Sequence, residues 1–271
     1  MLDPQIISIL LGLFVGFVLA LTGAGGTILA VPLLAFSLHL SIATAAPIGL
    51  LAVALAAGIG AFQGIRAGIV RYKAAALMAS CGIIFSPVGV WLAHRMPNAA
   101  LSVIFSVVLI FVSWRMWQQS AQLENIDNAK LAPACAVNPA TSKLFWTARC
   151  TQWLIVTGSF AGFISGLLGV GGGFVIVPTL KKFSNLALQS IVATSLAVVA
   201  LVSTVSVAAY LYHQQLHWHI ALPFTLATIA GMLAGRIFSG KISSQTVQRG
   251  FSLLAGFIAL AVLFKVVFSA P

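Results

Sequence analysis

Residues 5–38 form one unbroken apolar run with a cluster of glycines in its middle. As a single straight α-helix this run would be about 51 Å long, against a bilayer hydrocarbon core of about 30 Å. It must therefore bend or break, and Gly23-Ala24-Gly25-Gly26-Thr27 marks the place. Three more apolar spans follow, near 42–63, 74–94 and 99–117, without the alternation of apolar and polar residues that a membrane β-strand shows. Only 6 % of the chain is charged and 61 % is hydrophobic. A soluble domain with about 25 % charged residues covers its surface; this chain could not. A soluble protein, a disordered chain and a disulfide scaffold are all excluded, and an all-α polytopic membrane protein is expected. Met1-Leu2-Asp3-Pro4-Gln5 lacks the basic start of a signal peptide, so the first run is expected to stay in the mature chain.

The opening pattern occurs twice. Gly12–Leu34 and Gly158–Leu180 are related by a constant offset of 146, with eleven of 23 positions identical. The matches include Gly23 with Gly169, Gly25 with Gly171, Gly26 with Gly172 and Pro32 with Pro178. Farther on, Val53 matches Val199, Gly89 matches Gly235 and Phe105-Ser106 matches Phe251-Ser252. We therefore expect two homologous helical repeats, residues 1–118 and 148–271, joined by a polar linker at 119–147. The second repeat has its own spans near 187–211, 219–239 and 247–268.

Charge helps to choose the topology. If each opening stretch crosses once, the molecule has eight transmembrane segments in two parallel copies, and the basic residues split eight to five between the faces. If each crosses twice, it has ten segments in two inverted copies. One face then collects Arg66, Arg71, Lys73, Arg115, Lys130, Lys143, Arg149, Lys181, Lys182, Lys241 and Arg249, and the other only Arg95 and Lys265. That asymmetry fits the positive-inside rule, so the inverted arrangement is favoured, with both termini outside. The net charge of +11 thus anchors the protein in a membrane and does not indicate nucleic acid. The three acids, Asp3, Glu124 and Asp127, all lie outside the apolar segments. Cation carriers usually place a carboxylate within the membrane, so an anion is the expected substrate.

The candidate site is the pair of breaks: Gly23, Gly25, Gly26 and Thr27 in the first copy, Gly169, Gly171, Gly172 and Gly173 in the second. An interrupted membrane helix exposes backbone N–H groups where its second half starts, and these attract anions. Paired breaks are the best sequence pointer to a transport site. The plainer reading is close helix packing or a tight turn. Thr194 and Ser195 could add hydroxyls to such a site, with Ser203, Thr204 and Ser206 beyond them; helix packing would also explain them. Arg236, alone inside a span, is expected to snorkel to the interface. His213, His217 and His219 read as an interfacial loop, and Cys81, Cys135 and Cys150 as small apolar residues. No catalytic triad, paired carboxylates or metal-ligand spacing appears, so no enzyme and no cofactor is expected.

The double glycine motif, each time followed by Pro32 or Pro178, resembles the TauE/SafE family of sulfite exporters. The second copy carries the full pattern through Gly169, Gly171, Gly172, Gly173, Pro178, Thr194 and Ser195. The first departs from it at Thr27 and at Pro47-Ile48-Gly49. The resemblance implies a multi-pass protein of the cell inner membrane exporting sulfite or an organosulfonate such as sulfoacetate, with the lipid bilayer as its surroundings. The anion is expected near mid-membrane between the two breaks. Uptake of another anion or small metabolite, a non-transporting assembly role and a homo-oligomer are left open.

Overall fold

The computed structural model describes residues 4–23, 25–122, 135, 147–213, 216–238 and 244–268. Most of the linker, with Glu124, Asp127, Lys130 and Lys143, lies outside them, as do Asp3, Ala24 and Lys241. The described residues form ten helices and no strand. These are α1 (Pro4–Thr22), α2 (Gly25–Ser37), α3 (Ile42–Arg66), α4 (Tyr72–Arg95), α5 (Asn98–Gln122), α6 (Ala148–Leu168), α7 (Gly173–Phe183), α8 (Leu188–His213), α9 (Trp218–Phe238) and α10 (Ser244–Phe268). Seven of them, α1, α3, α4, α5, α6, α8 and α9, are long and apolar enough to cross a membrane. Large apolar side chains such as Leu10, Ile84, Phe111 and Phe257 point outward, as a lipid solvent requires. The chain is an all-α polytopic membrane protein.

The long opening run does not kink; it folds back on itself. A Cβ built on Gly26 would lie 2.5 Å from the Val15 carbonyl oxygen. In a continuous helix residues that far apart in sequence would be separated by about 16 Å. The start of α2 is therefore packed on α1 as a hairpin. Gly172 lies against Ala161 in the same way, so α7 folds back on α6. The hairpins give five helices before the linker and five after it.

Neighbouring residues set the helix directions. Along the α3–α8 contact Gly60 meets Leu196 and Gly64 meets Ala193, while Val53 and Val199 both flank Gly171. Numbers rise on one helix as they fall on the other, so α3 and α8 are antiparallel. They hold corresponding places in the two halves, and that direction is the one an inverted pair requires. Two parallel seams complete the frame. Gly12 and Gly16 of α1 meet Phe224, Thr228 and Met232 of α9, and Gly158 and Gly162 of α6 meet Met78 and Gly82 of α4. A Cβ on Gly12 would be 2.5 Å from the Phe224 oxygen, and one on Gly158 would be 2.5 Å from the Met78 oxygen, contacts related by the same offset of 146. With no hydrophobic drive between helices in lipid, such small residues let backbones approach and gain dispersion energy.

The cysteines correct one expectation. Cys135 and Cys150 are joined in a disulfide with their Cα atoms 5.1 Å apart, and Cys81 is free. The Cys135 N–H donates to the Phe183 carbonyl at 2.9 Å, so this point of the linker docks on the end of α7. Their spacing in sequence carries no recognisable signature, because the pairing depends on the linker folding back. Such a bond persists in an oxidising compartment.

The parallel seams yield a stability test. Gly162→Leu would drive a side chain into the backbone of Gly82, whereas nothing lies within 4 Å of a Cβ on Gly58. Gly162→Leu should destabilise the protein by about 1–3 kcal/mol or more, the cost of overpacking. Thermal melting in detergent should drop for Gly162→Leu and stay unchanged for Gly58→Leu.

Candidate functional site

The second break is built almost wholly of glycine because its backbone turns left-handed three times. Gly169 ends α6 at φ 73°, and Gly171 and Gly172 follow at φ 71° and 67°. An ordinary L-residue pays about 1–2 kcal/mol for each such conformation. The Gly169 N–H is satisfied by the Ser165 carbonyl at 2.9 Å. The chain then enters α7 at Gly173 with no side-chain hydrogen bond capping the helix start. Gly171 reaches the middle of α3 and α8, where a Cβ would be 3.4 Å from Val53, 3.3 Å from Val199 and 3.1 Å from the Ser203 Oγ. Ser203 is fully buried, and its hydroxyl has no partner among the described residues.

The first break solves the same backbone problem internally. Gly23 sits at φ 70° and donates to the Leu19 carbonyl at 2.8 Å. The Gly25 N–H then donates to the Thr22 Oγ1 at 2.7 Å, so a neighbouring hydroxyl supplies the cap. Gly25 packs against the Phe251 ring, Gly26 against Leu19, and Thr27 is fully buried. At the offset of 146 Thr22 corresponds to Leu168, which has no hydroxyl to offer.

Four buried serines have no hydroxyl counterpart in the other copy, just as Thr27 and Ser195 at the first break have glycine counterparts. Ser86, Ser165, Ser203 and Ser206 are all fully buried near the second break, and their counterparts in the other copy are Met232, Leu19, Ala57 and Gly60. The Ser86 and Ser206 hydroxyls are 2.6 Å apart, and Ser165 is 3.4 Å from Ser206. Tyr210 donates to the Gly166 carbonyl at 2.9 Å and closes one end of the cluster. Ser86 and Ser165 were not singled out from sequence. Comparing the two copies for polar-for-apolar exchanges would have found them.

Thr194 and Ser195 lie elsewhere than the second break. The Thr194 Oγ1 accepts from the Arg71 N–H at 3.0 Å, tying α8 to the α3–α4 turn. The Ser195 Oγ donates to the Val192 carbonyl at 2.9 Å and approaches the Gly23 carbonyl at 3.3 Å. The Ser195 hydroxyl therefore stands at the first break and that of Thr194 at the α3–α4 turn, and both are engaged. Gly23 meets α8 at Val192, and Gly169 meets α3 at Ala46, one turn into each helix. Because α3 and α8 are antiparallel, the breaks approach this pair from opposite ends.

Arg236 corrects another expectation. It does not snorkel outward: its Nη1 donates to the Gly60 carbonyl at 3.1 Å and to the Gln63 Oε1 at 2.5 Å. The guanidinium satisfies polar groups near the end of α3, because that interior offers acceptors and α9 packs on α3 there. His217 and His219 are exposed at the start of α9, and the His213 side chain lies outside the described residues.

Comparison with known proteins follows from this geometry. The model of the sulfite exporter TauE/SafE family matches residues 8–262. A probable membrane transporter protein of Xylella fastidiosa is 26 % identical over 275 residues, covering 97 % of each chain. A probable membrane transporter protein of Bacillus subtilis is 22 % identical over 271 residues, covering 97 % of this chain and 99 % of its own. Another from Methanocaldococcus jannaschii is 26 % identical over 270 residues, covering 94 % of each. No solved structure matches the chain.

The uneven hydroxyls give a direct test. A hydrogen bond to a charged group contributes about 1.5–3 kcal/mol. If the second break holds an oxyanion, Ser203→Ala should therefore weaken its affinity by about tenfold or more with melting unchanged, whereas Ala57→Ser should leave affinity as it is. Equilibrium binding of sulfite to each purified variant measures both.

Proposed function

Because the chain belongs to the TauE/SafE sulfite exporter family and is therefore a membrane transporter, we propose that it exports sulfite or a small organosulfonate such as sulfoacetate through one site at the second glycine break. The observation that carries this reading is the uncapped start of α7 beside a buried hydroxyl with no partner among the described residues. A helix start leaves N–H groups unsatisfied and bears a partial positive charge. A sulfur oxyanion presents several acceptor oxygens on one small centre. One oxygen would take the N–H groups at Gly172–Gly173, and another would accept from Ser203. The bound anion then does for α7 what Thr22 does for α2.

The site has no full positive charge, which suits a carrier that must also release its cargo. Uncompensated dipoles and hydroxyls bind an oxyanion without the tight ion pair that an arginine fork would make. Direction follows from the same economy of charge. No apolar segment contains a carboxylate that could carry a proton inward. A cytoplasm-negative membrane potential drives a monovalent anion outward with about 2.3 kcal/mol per 100 mV. Alternating access would come from rearrangement of helices around the second break and not from separation of the two five-helix halves, because the α1–α9 and α4–α6 seams join those halves. The inner membrane is the place where such export acts.

Flux into proteoliposomes tests the assignment. The wild-type protein should carry sulfite saturably, with competition by sulfoacetate. Gly171→Leu should abolish that flux while the purified variant remains folded, since a leucine there is both strained and in the way of Ser203. Flux that is unaffected by Gly171→Leu, or absent for sulfite and sulfonates alike, would overturn the reading.

A further inference from the structure

A cavity of about 560 Å³ opens between α5, α6 and α7, running from Phe174 beside the second break to the C-terminal ends of α5 and α7. Its walls are apolar, with Phe111 from α5, Phe160 from α6 and Phe174 from α7. Two cations, Arg115 of α5 and Lys182 of α7, also line it. Helix directions put both cations at one end. The short α4–α5 turn makes those two helices antiparallel, α4 runs parallel to α6, and the hairpin makes α6 antiparallel to α7. So α5 and α7 run the same way, and Arg115 and Lys182 both belong to their C-terminal ends. The start of α6 comes to the same end, where Trp153 stacks on Phe183 with ring centroids 4.4 Å apart. The Lys182 Nζ lies 5.5 Å from that Phe183 ring.

We infer that this slot holds one anionic phospholipid, its acyl chain along the phenylalanine walls and its phosphate between Arg115 and Lys182. The argument is one of complementarity. The slot is apolar along its length, and its cations share one end with an aromatic pair of the kind that marks a membrane interface. Cationic pockets between transmembrane helices on the face that carries most basic residues recognise anionic headgroups. None of the described residues is acidic, so no carboxylate among them neutralises the pair. The matching groove of the first copy cannot do the same: Arg115 corresponds to Ala261 and Lys182 to Phe36. Since α7 forms one wall, the lipid braces the helix whose other end starts at the second break.

Native mass spectrometry of the purified protein in mixed lipid tests this, with phosphatidylglycerol and phosphatidylcholine of identical chains as probes. Wild type should retain phosphatidylglycerol with a roughly tenfold preference, and Arg115→Gln/Lys182→Gln should bind both lipids equally. If the double variant fails to fold, Arg115→Gln and Lys182→Gln alone should each reduce the preference. Inorganic phosphate should not compete, because it lacks the chain. Equal retention of both lipids by wild type, a preference that survives both substitutions, or a second copy of the chain cross-linking through Phe111 and Phe160 would overturn the inference.

Discussion

A helix interrupted inside a membrane protein must find partners for the backbone groups that the interruption frees, since lipid offers none. Everything distinctive in this molecule follows from how its two interruptions meet that demand. The first answers from within: Thr22 accepts from the Gly25 N–H, and the break is closed by its own side chain. The second has leucine at the corresponding place and leaves the start of α7 uncapped beside the unpartnered hydroxyl of Ser203. The element repeated in the sequence is thus capped by a side chain in one copy and not in the other.

The surrounding frame holds that open end in place. The α4–α6 seam, through Gly158 and Gly162, fixes α6, and α6 fixes the hairpin at Gly172 and Ala161. The antiparallel α3–α8 pair brings Val53 and Val199 to Gly171 from two sides, so the break is walled by the middles of both helices. Close backbone contact makes these seams stiff, and because α1–α9 and α4–α6 each join a helix before the linker to one after it, they lock the two halves together. What distinguishes the second break is the buried Ser203 hydroxyl with no partner among the described residues, and the proposed site rests on it.

Much of the fold could be read from the residues, for physical reasons. Apolar runs about one bilayer thick specify helices directly, and two glycine clusters at a fixed offset mark both breaks. The charge asymmetry favoured opening stretches that fold back, and the packing of Gly26 on Val15 and of Gly172 on Ala161 shows that fold-back. The site was only half legible. Gly169, Gly171 and Gly172 owe their identity to left-handed backbone, which glycine announces. Thr194 and Ser195 attracted attention through their aligned position, yet their hydroxyls are spent on Arg71 and on carbonyls near the first break. Ser86 and Ser165 were invisible alone, because a serine in a membrane helix usually bonds to its own backbone, and only packing shows which ones meet. The Cys135–Cys150 pairing and the inward turn of Arg236 depend on contacts between segments far apart in sequence, which periodicity cannot report.

The central claim is that one anion binds at the second break and not at the first. Selenite, the selenium counterpart of sulfite, makes this visible. Anomalous X-ray scattering from crystals grown with selenite should show a single selenium site with oxygens within about 3 Å of the backbone N–H groups at Gly172–Gly173 and of the Ser203 Oγ. Selenium at Gly23–Thr27, or bound elsewhere with the start of α7 left empty, would contradict the account.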